Sequence, residues 1–262
     1  MPDGARAAHV ASIAALYDVH GNLPALEAAL ADVEAAGAGT IVVGGDVVPG
    51  PMPRETLDRL RALGPRARWL RGNTDRLVVA ATDGDPLAAL PPAVREILRW
   101  TAARLDRSHR DFLAALPTSL ALDVPGLGAV RFCHATPRSD EEILTAATPD
   151  NVARPMLAGV TQRLVVCGHT HLRLDRTVDD VRIVNAGSVG MPFDEPGAHW
   201  LLFTEKGVRP RTTTYDLEAA AALVRGTAYP DAETFASRWV LAPPGAEAAI
   251  AMLETRRAGT RN

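Results

Sequence analysis

Asp18-Val19-His20-Gly21-Asn22 follows an apolar run, Val10 to Leu16, and this stretch decides how the rest of the chain is read. The run predicts a buried strand. Asp18 and His20 then stand where that strand ends, on the side where open α/β sheets place their ligand crevices. A carboxylate and an imidazole two residues apart in such a place form a natural pair of metal ligands. On their own they read equally well as a turn former and a polar strand end. Matching pieces further along the chain give the pair its weight.

Working outward, Asn22 can cap a helix whose core stripe is Leu23, Leu26, Leu30 and Val33, with Gly37 at its stop. Thr40 to Val43 is a β-branched run that ends in Gly44-Gly45-Asp46. Strand, helix and strand in this order predict a βαβ unit, with Asp46 at the second strand's end. A second helix is expected over about Pro53 to Leu63, carrying Leu57, Leu60 and Leu63 on one face. Arg68 to Leu70 reads as a short strand leading into Arg71-Gly72-Asn73-Thr74-Asp75, good turn chemistry in itself.

Between residues 82 and 116 the pattern changes. Helical spacing from Val94 to Leu105 and from Arg107 to Leu116 predicts a helical cap insertion lying over the site. Leu120 to Cys133 is expected to be a hairpin turned at Pro125-Gly126-Leu127-Gly128, ending in His134. Leu164 to Cys167 is another buried strand, ending in Gly168-His169-Thr170-His171. Val181 to Val184, Trp200 to Phe203 and Val208 to Tyr215 are expected to be antiparallel strands of a second sheet. Ala-rich helical segments follow from 217 to 262, interrupted at Pro243-Pro244-Gly245 and frayed from Arg256 to Asn262.

The chain has 262 residues, with an apolar fraction of 47% and a charged fraction of 23%, ordinary for a globular protein. The net charge of −3 gives no basic field that would imply nucleic acid as a partner. Cys133 and Cys167 lie in apolar runs and read as inert core thiols, which together with the absence of a cleavage site predicts a cytoplasmic protein. No apolar run reaches membrane-spanning length. The sequence leaves the oligomeric state open.

Collected, the polar residues at strand ends are Asp18, His20, Asp46, Asn73, His134, His169 and His171. All offer nitrogen or oxygen donors and none a thiolate, which suits Mn²⁺, Fe²⁺, Ni²⁺, Co²⁺ or Zn²⁺. A carboxylate shared between two ions would give each four protein ligands. His169 and His171 straddle one residue, so on an extended segment both point to one side. His9, His109 and His199 have no such setting.

The order of these blocks, D-x-H, G-D, G-N, H and G-H-x-H, resembles the calcineurin-like metallophosphoesterase family over about residues 10 to 205. Asn185-Ala186-Gly187-Ser188-Val189-Gly190 is similar to the corresponding stretch of its small bacterial and archaeal phosphodiesterases. The resemblance implies an α/β fold, a two-sheet αββα sandwich carrying the helical insertion and the C-terminal extension on a single domain. It implies two divalent ions, manganese foremost, and a small phosphoester substrate. Asp18, His20 and His171 would hold the first ion. Asp46 would bridge, and Asn73, His134 and His169 would hold the second, with Asp46, Asn73 and His134 at the catalytic centre. Such a pair, about 3.5–4 Å apart, lowers the pKa of a bridging water for in-line attack on phosphorus.

Phosphodiester hydrolysis is the expected activity. A phosphomonoesterase or dinucleoside polyphosphate hydrolase with the same site, or a non-catalytic scaffold like the retromer subunit that shares the fold, are the rivals. Asn22 is read first as a helix cap and second as a phosphate contact. Arg138, four residues after His134, is a candidate phosphate contact or a solvated side chain, and Arg71 and Arg76 flank the Asn73 block in the same way. Many family members carry His directly after the block's Asn, where it helps to protonate the leaving group. Here that position is Thr74.

Overall fold

Two five-stranded sheets face one another in a computed structural model that describes residues 12–124 and 126–259. The first has the order β10-β9-β1-β2-β3. In it β1 (Ser12–Leu16), β2 (Ala38–Val43) and β3 (Ala67–Trp69) run parallel, β9 (Ala198–Thr204) is antiparallel to β1, and β10 (Gly207–Thr213) is antiparallel to β9 at the edge. The second has the order β4-β5-β6-β8-β7. Its centre, β5 (Gly128–Cys133), β6 (Leu164–Cys167) and β8 (Val181–Ala186), is parallel; β4 (Ser119–Val124) and β7 (Arg173–Val178) are antiparallel edges.

The period-2 alternation of side chains gives each sheet two faces to bury. Ile13, Ala15, Tyr17 and Val42 of the first sheet meet Val130, Phe132, Val166 and Val184 of the second in the sandwich core. The opposite face of the first sheet, with Ala14, Leu16, Ile41 and Val43, packs under α1 (Leu23–Ala35) and α2 (Pro53–Arg61). Val165, Cys167 and Ile183 on the outer face of the second sheet are covered by Ala153 and Met156 of α6 (Asp150–Met156). Helix, sheet, sheet and helix therefore stack in four layers, as expected.

Two readings of the sequence change. The strands at Trp200 to Phe203 and Val208 to Tyr215 do not join Val181 to Val184 in one sheet: β9 and β10 complete the first sheet beside β1, and β8 lies inside the second. Six consecutive residues of β9 are buried, with Trp200 and Leu202 toward the helices and Leu201 and Phe203 toward the other sheet. Burying a large apolar side chain is worth roughly 1.5–3 kcal/mol, so a strand apolar on both faces is drawn to a sheet's interior. Asn73-Thr74-Asp75 is not a turn but the start of α3 (Asn73–Thr82).

The insertion, α4 (Pro92–Ala102) and α5 (Arg107–Ala114), packs beside α2 and α3, with Leu87, Leu98 and Leu113 in that helical core. His109 donates its Nε2–H to the Asp58 carboxylate of α2 (2.9 Å). Among the described residues, no side chain of 82–116 hydrogen-bonds a strand-end ligand candidate. Val10 and Ala11 of the predicted first strand, His9, Pro125 of the hairpin turn and the last three residues of the predicted frayed end lie outside the described residues. Helix runs through Arg256 to Gly259 at that end. Among the described residues, no helix is long and apolar enough to cross a membrane.

Candidate metal centre

The parallel strands of both sheets deliver their C-terminal ends to one place. Asp18 and His20 follow β1, Asp46 follows β2, Asn73 opens the helix after β3, His134 follows β5, and His169 and His171 follow β6. Asp18 is fully buried and His20, Asp46, Asn73, His134 and His171 are buried; His169 is half-buried. Asp18, His20, Asp46 and His171 form one group whose potential ligand atoms lie within 4.8 Å of one another. Asp46, His134 and His169 form a second. Asp46 Oδ2 stands 3.7 Å from His20 Nε2 and 3.4 Å from His134 Nε2, between the two. Asn73 joins through Oδ1, 3.1 Å from His134 Nε2.

The backbone is strained to do this. Asp18, His20, Asp46, His169 and His171 all have φ between 46° and 67°, in the left-handed region that costs L-residues roughly 1–2 kcal/mol each. Such strain clusters where function requires it. Close approach is made possible by two glycines. A Cβ on Gly72 would lie 2.1 Å from Asp46 Oδ1, and one on Gly168 would lie 2.4 Å from Asp18 Oδ2.

Second-layer hydrogen bonds fix each ring. The Nδ1–H groups of His20, His134 and His171 donate to the carbonyls of Pro49 (3.1 Å), Gly44 (2.9 Å) and Met191 (2.8 Å), because a carbonyl can only accept. Nε2 of each is thereby turned into the cluster. His169 is reversed, with Nε2–H on the Glu141 carbonyl (3.1 Å), so Nδ1 is its free donor. Asp18 Oδ2 accepts from the His169 backbone N–H (2.9 Å), and Asp46 Oδ1 from that of Thr74 (2.9 Å). This is the arrangement of oriented imidazoles and tethered carboxylates on which metal sites rest.

Several observations test whether this set fits divalent cations. His20 Nε2 and His171 Nε2 face each other at 3.1 Å with both Nδ1 protons already assigned, two lone pairs turned together. Asp18 Oδ1, fully buried, has no hydrogen-bond partner. The buried carboxylates also call for positive charge. Burial opposes charging His134, but Asp46 and Asp18 outweigh it and lift its pKa to about 10. Burial works against the Asp46 anion as well, yet His134 and His20 hold its pKa well below the carboxylate range. His20 and His169 are pushed down to about 4, by burial first and then by His171 and His134 respectively. The donor set fits.

A prediction follows for His134. Its Nε2, turned toward Asn73 Oδ1, is protonated near neutral pH in the ion-free protein, and a metal can bind there only by displacing that proton. Loading Mn²⁺ at pH 7.5 is expected to release about one proton per chain through His134. Calorimetric titration in buffers of different ionisation enthalpy measures it, and His134→Ala should abolish that release.

Asp75, Ser188, Asn185 and Phe193 are partners of the site to which the sequence reading gives no role. Asp75, fully buried on the first turn of α3, accepts from the backbone N–H groups of Asp46 (2.8 Å), Val47 (2.9 Å), Val48 (3.3 Å) and Gly72 (3.1 Å). Its place three residues after Gly72, a capping-box position, was the available signal. Ser188 Oγ donates to the Asp18 carbonyl (2.7 Å), and the Asn185 amide donates to the Gly168 carbonyl (2.6 Å). Phe193 lies against the His171 ring, centroids 4.6 Å apart.

The two substrate-contact candidates are otherwise engaged. Asn22 is fully buried, capping α1 through Oδ1 on the Ala25 N–H (3.2 Å) and donating to the Gly190 carbonyl (2.8 Å). The first of its two expected roles, the helix cap, is thus in place, and its amide nitrogen is engaged within the fold. Arg138 donates to the Glu142 carboxylate. Arg76 binds Asp140 and Glu141. Arg71 alone retains a buried, unpartnered Nε.

Comparison with known proteins places these features. Residues 12–207 match the model of the calcineurin-like phosphoesterase superfamily domain. An uncharacterised protein of Methanocaldococcus jannaschii is 27% identical over 227 residues, 79% of this chain and 89% of its own length. A metallophosphoesterase from Sphaerobacter thermophilus superposes with a TM-score of 0.70 at 27% identity, covering 88% of this chain and 98% of that one. A hypothetical protein from Pyrococcus horikoshii shares the fold, with a TM-score of 0.74 at 23% identity over 86% of this chain and 97% of that one.

Proposed function

The chain belongs to the calcineurin-like phosphoesterase superfamily, and on that premise we propose that it is a dinuclear metal-dependent hydrolase of phosphodiesters. The observation that carries the reading is Asp46 Oδ2, which lies between His20 and His134 and belongs to both donor groups. In this reading Asp18, His20 and His171 hold one ion with Asp46, and Asn73, His134 and His169 hold the other with Asp46. Manganese is proposed first on the family resemblance; the nitrogen and oxygen donors also suit Fe²⁺, Ni²⁺, Co²⁺ or Zn²⁺.

Two such ions supply Lewis-acid polarisation of the phosphoryl group and lower the pKa of a water. The chain does the rest by positioning. The Thr74 N–H and the Asp75-bound loop 46–48 hold Asp46 so that Oδ2 faces both groups. The three carbonyl-anchored imidazoles present Nε2 at fixed angles. Hydrolysis replaces the ester oxygen on phosphorus by a water oxygen, and the leaving oxygen needs a proton when it departs as an alkoxide.

Thr74 occupies the position of the family's leaving-group acid. Its Oγ1 is buried without a hydrogen-bond partner, and its backbone N–H touches Asp46, so a side chain here borders the centre. General acid help is worth on the order of 10²–10⁴ in rate, most for poor leaving groups. Threonine cannot donate a proton near neutral pH, whereas histidine can. Wild type is therefore expected to cleave nitrophenyl diesters far faster than alkyl diesters. Thr74→His should raise kcat/KM for an alkyl diester with a smaller effect on the aryl one. An unchanged ratio at matched metal occupancy would mean that another group protonates the leaving oxygen.

The reading itself is tested by metal analysis of the purified protein with bis-nitrophenyl and mono-nitrophenyl phosphate as substrates. Two divalent ions per chain and faster diester turnover are expected. Metal with monoester preference would redirect the substrate class, and absence of hydrolysis in fully loaded protein would overturn catalysis.

A further inference from the structure

The segment after β10, beyond the residues matched to the superfamily domain, reaches back to the metal centre from two sides. Its middle is a π-helix, Phe235–Leu241, closed by an i+5 bond from the Ala242 N–H to the Ser237 carbonyl (3.1 Å). The wider turn lets Phe235 and Val240, five apart, stay buried together in the extension's own core. Trp239 is thereby turned onto Phe193, with ring centroids 5.0 Å apart and planes at 33°. Phe193 in turn lies 4.6 Å from the His171 ring, and its backbone N–H donates to the His171 carbonyl (3.1 Å). π-Helices are rare and occur frequently at functional sites.

The second contact comes from the C-terminal helix, Ala246–Gly259. Ala249 and Leu253 pack with Ile143, Leu172 and Phe193. Glu254 accepts from both Thr145 Oγ1 and Thr148 Oγ1 (2.7 Å each), holding the loop whose Glu141 carbonyl fixes His169. Among the described residues, the other ring against His171 is its neighbour ligand candidate His20, 4.8 Å away.

We propose that the C-terminal extension is a brace of the metal centre, in which Trp239 is a positioning residue that holds His171 through Phe193. The proposal rests on the two-ion reading above. It says that one ion, the one held by Asp18, His20, Asp46 and His171, depends on an aromatic ring at 239. The other ion does not. Partners one layer out from a ligand typically change metal affinity 10–100-fold when removed.

The test is stepwise Mn²⁺ binding to the full chain, by calorimetry and by electron paramagnetic resonance, in wild type and in Trp239→Ala, Trp239→Leu and Trp239→Phe. Wild type should bind two ions. Trp239→Ala and Trp239→Leu should weaken one binding step about tenfold or more and leave the other in place. Trp239→Phe should restore wild-type binding, because a ring can still lie on Phe193. If Trp239→Ala does not fold, the Leu and Phe variants decide. Unchanged binding in Trp239→Leu, or equal weakening of both steps that Phe does not rescue, would overturn the brace. A wild type that binds fewer than two ions would overturn the two-ion reading itself, and the brace with it.

Discussion

Asp46→Ala is expected to bring phosphodiester hydrolysis to background, a loss of at least about 10³-fold, the scale on which single electrostatic contacts to a reacting group act. The variant should also lose both ions rather than one. Asp46 is the carboxylate common to both donor groups, its Oδ2 3.7 Å from His20 and 3.4 Å from His134, whereas Asp18 Oδ1, 3.4 Å from His171 and 3.9 Å from His134, belongs to the first group. Without a shared anion, two divalent cations at this spacing repel each other, and each is left with three protein ligands. His20→Ala serves as the contrast, since it removes a ligand from one group only and should empty mainly that site. Metal content per chain and kcat/KM, measured on the same preparations, separate the two. Asp46→Ala protein that kept two ions and near wild-type rates would disprove the bridge.

The second large effect concerns stability. Asp75→Ala removes an acceptor shared by four backbone N–H groups, of Asp46, Val47, Val48 and Gly72, in a fully buried setting. Each buried donor left unmade costs about 1–3 kcal/mol, offset in part because a buried carboxylate disappears with it. Burial, and then the Asp46 charge, raise the Asp75 pKa to about 6, so the anion is itself held at some cost. A net loss of about 3–5 kcal/mol is expected, a large share of a typical domain's stability. Urea unfolding of metal-free protein measures it free of the metal-binding contribution. A change below 1 kcal/mol would mean the 46–48 loop keeps its shape without Asp75.

The seven strand-end residues were legible because each obeys a local rule: a short apolar run, often a glycine, then a donor at the strand's C-terminal end. The fold brings all seven to one place. What lay beyond the sequence depends on partners remote in the chain. The apolar run at Trp200 announces a buried strand but not its neighbour, and β1 claims it in the first sheet. β7 stayed hidden because an edge strand with exposed Arg173, Asp175 and Thr177 lacks an apolar signature. Asp75 looks like turn chemistry until the backbone of loop 46–48 arrives to use its carboxylate. Arg138 looked available for phosphate, and only the fold shows Glu142 engaging it. Trp239 carried no motif at all, since its neighbour Phe193 is brought to it by tertiary packing.

The central claim is that one carboxylate joins two metal sites. It is tested most directly by anomalous X-ray diffraction from crystals of Mn²⁺-loaded protein, recorded on both sides of the manganese absorption edge. The account predicts two anomalous peaks per chain. One should be ligated by Asp18, His20 and His171, the other by Asn73, His134 and His169, with Asp46 coordinating both. A single peak, or two peaks with Asp46 bound to only one of them, would contradict it.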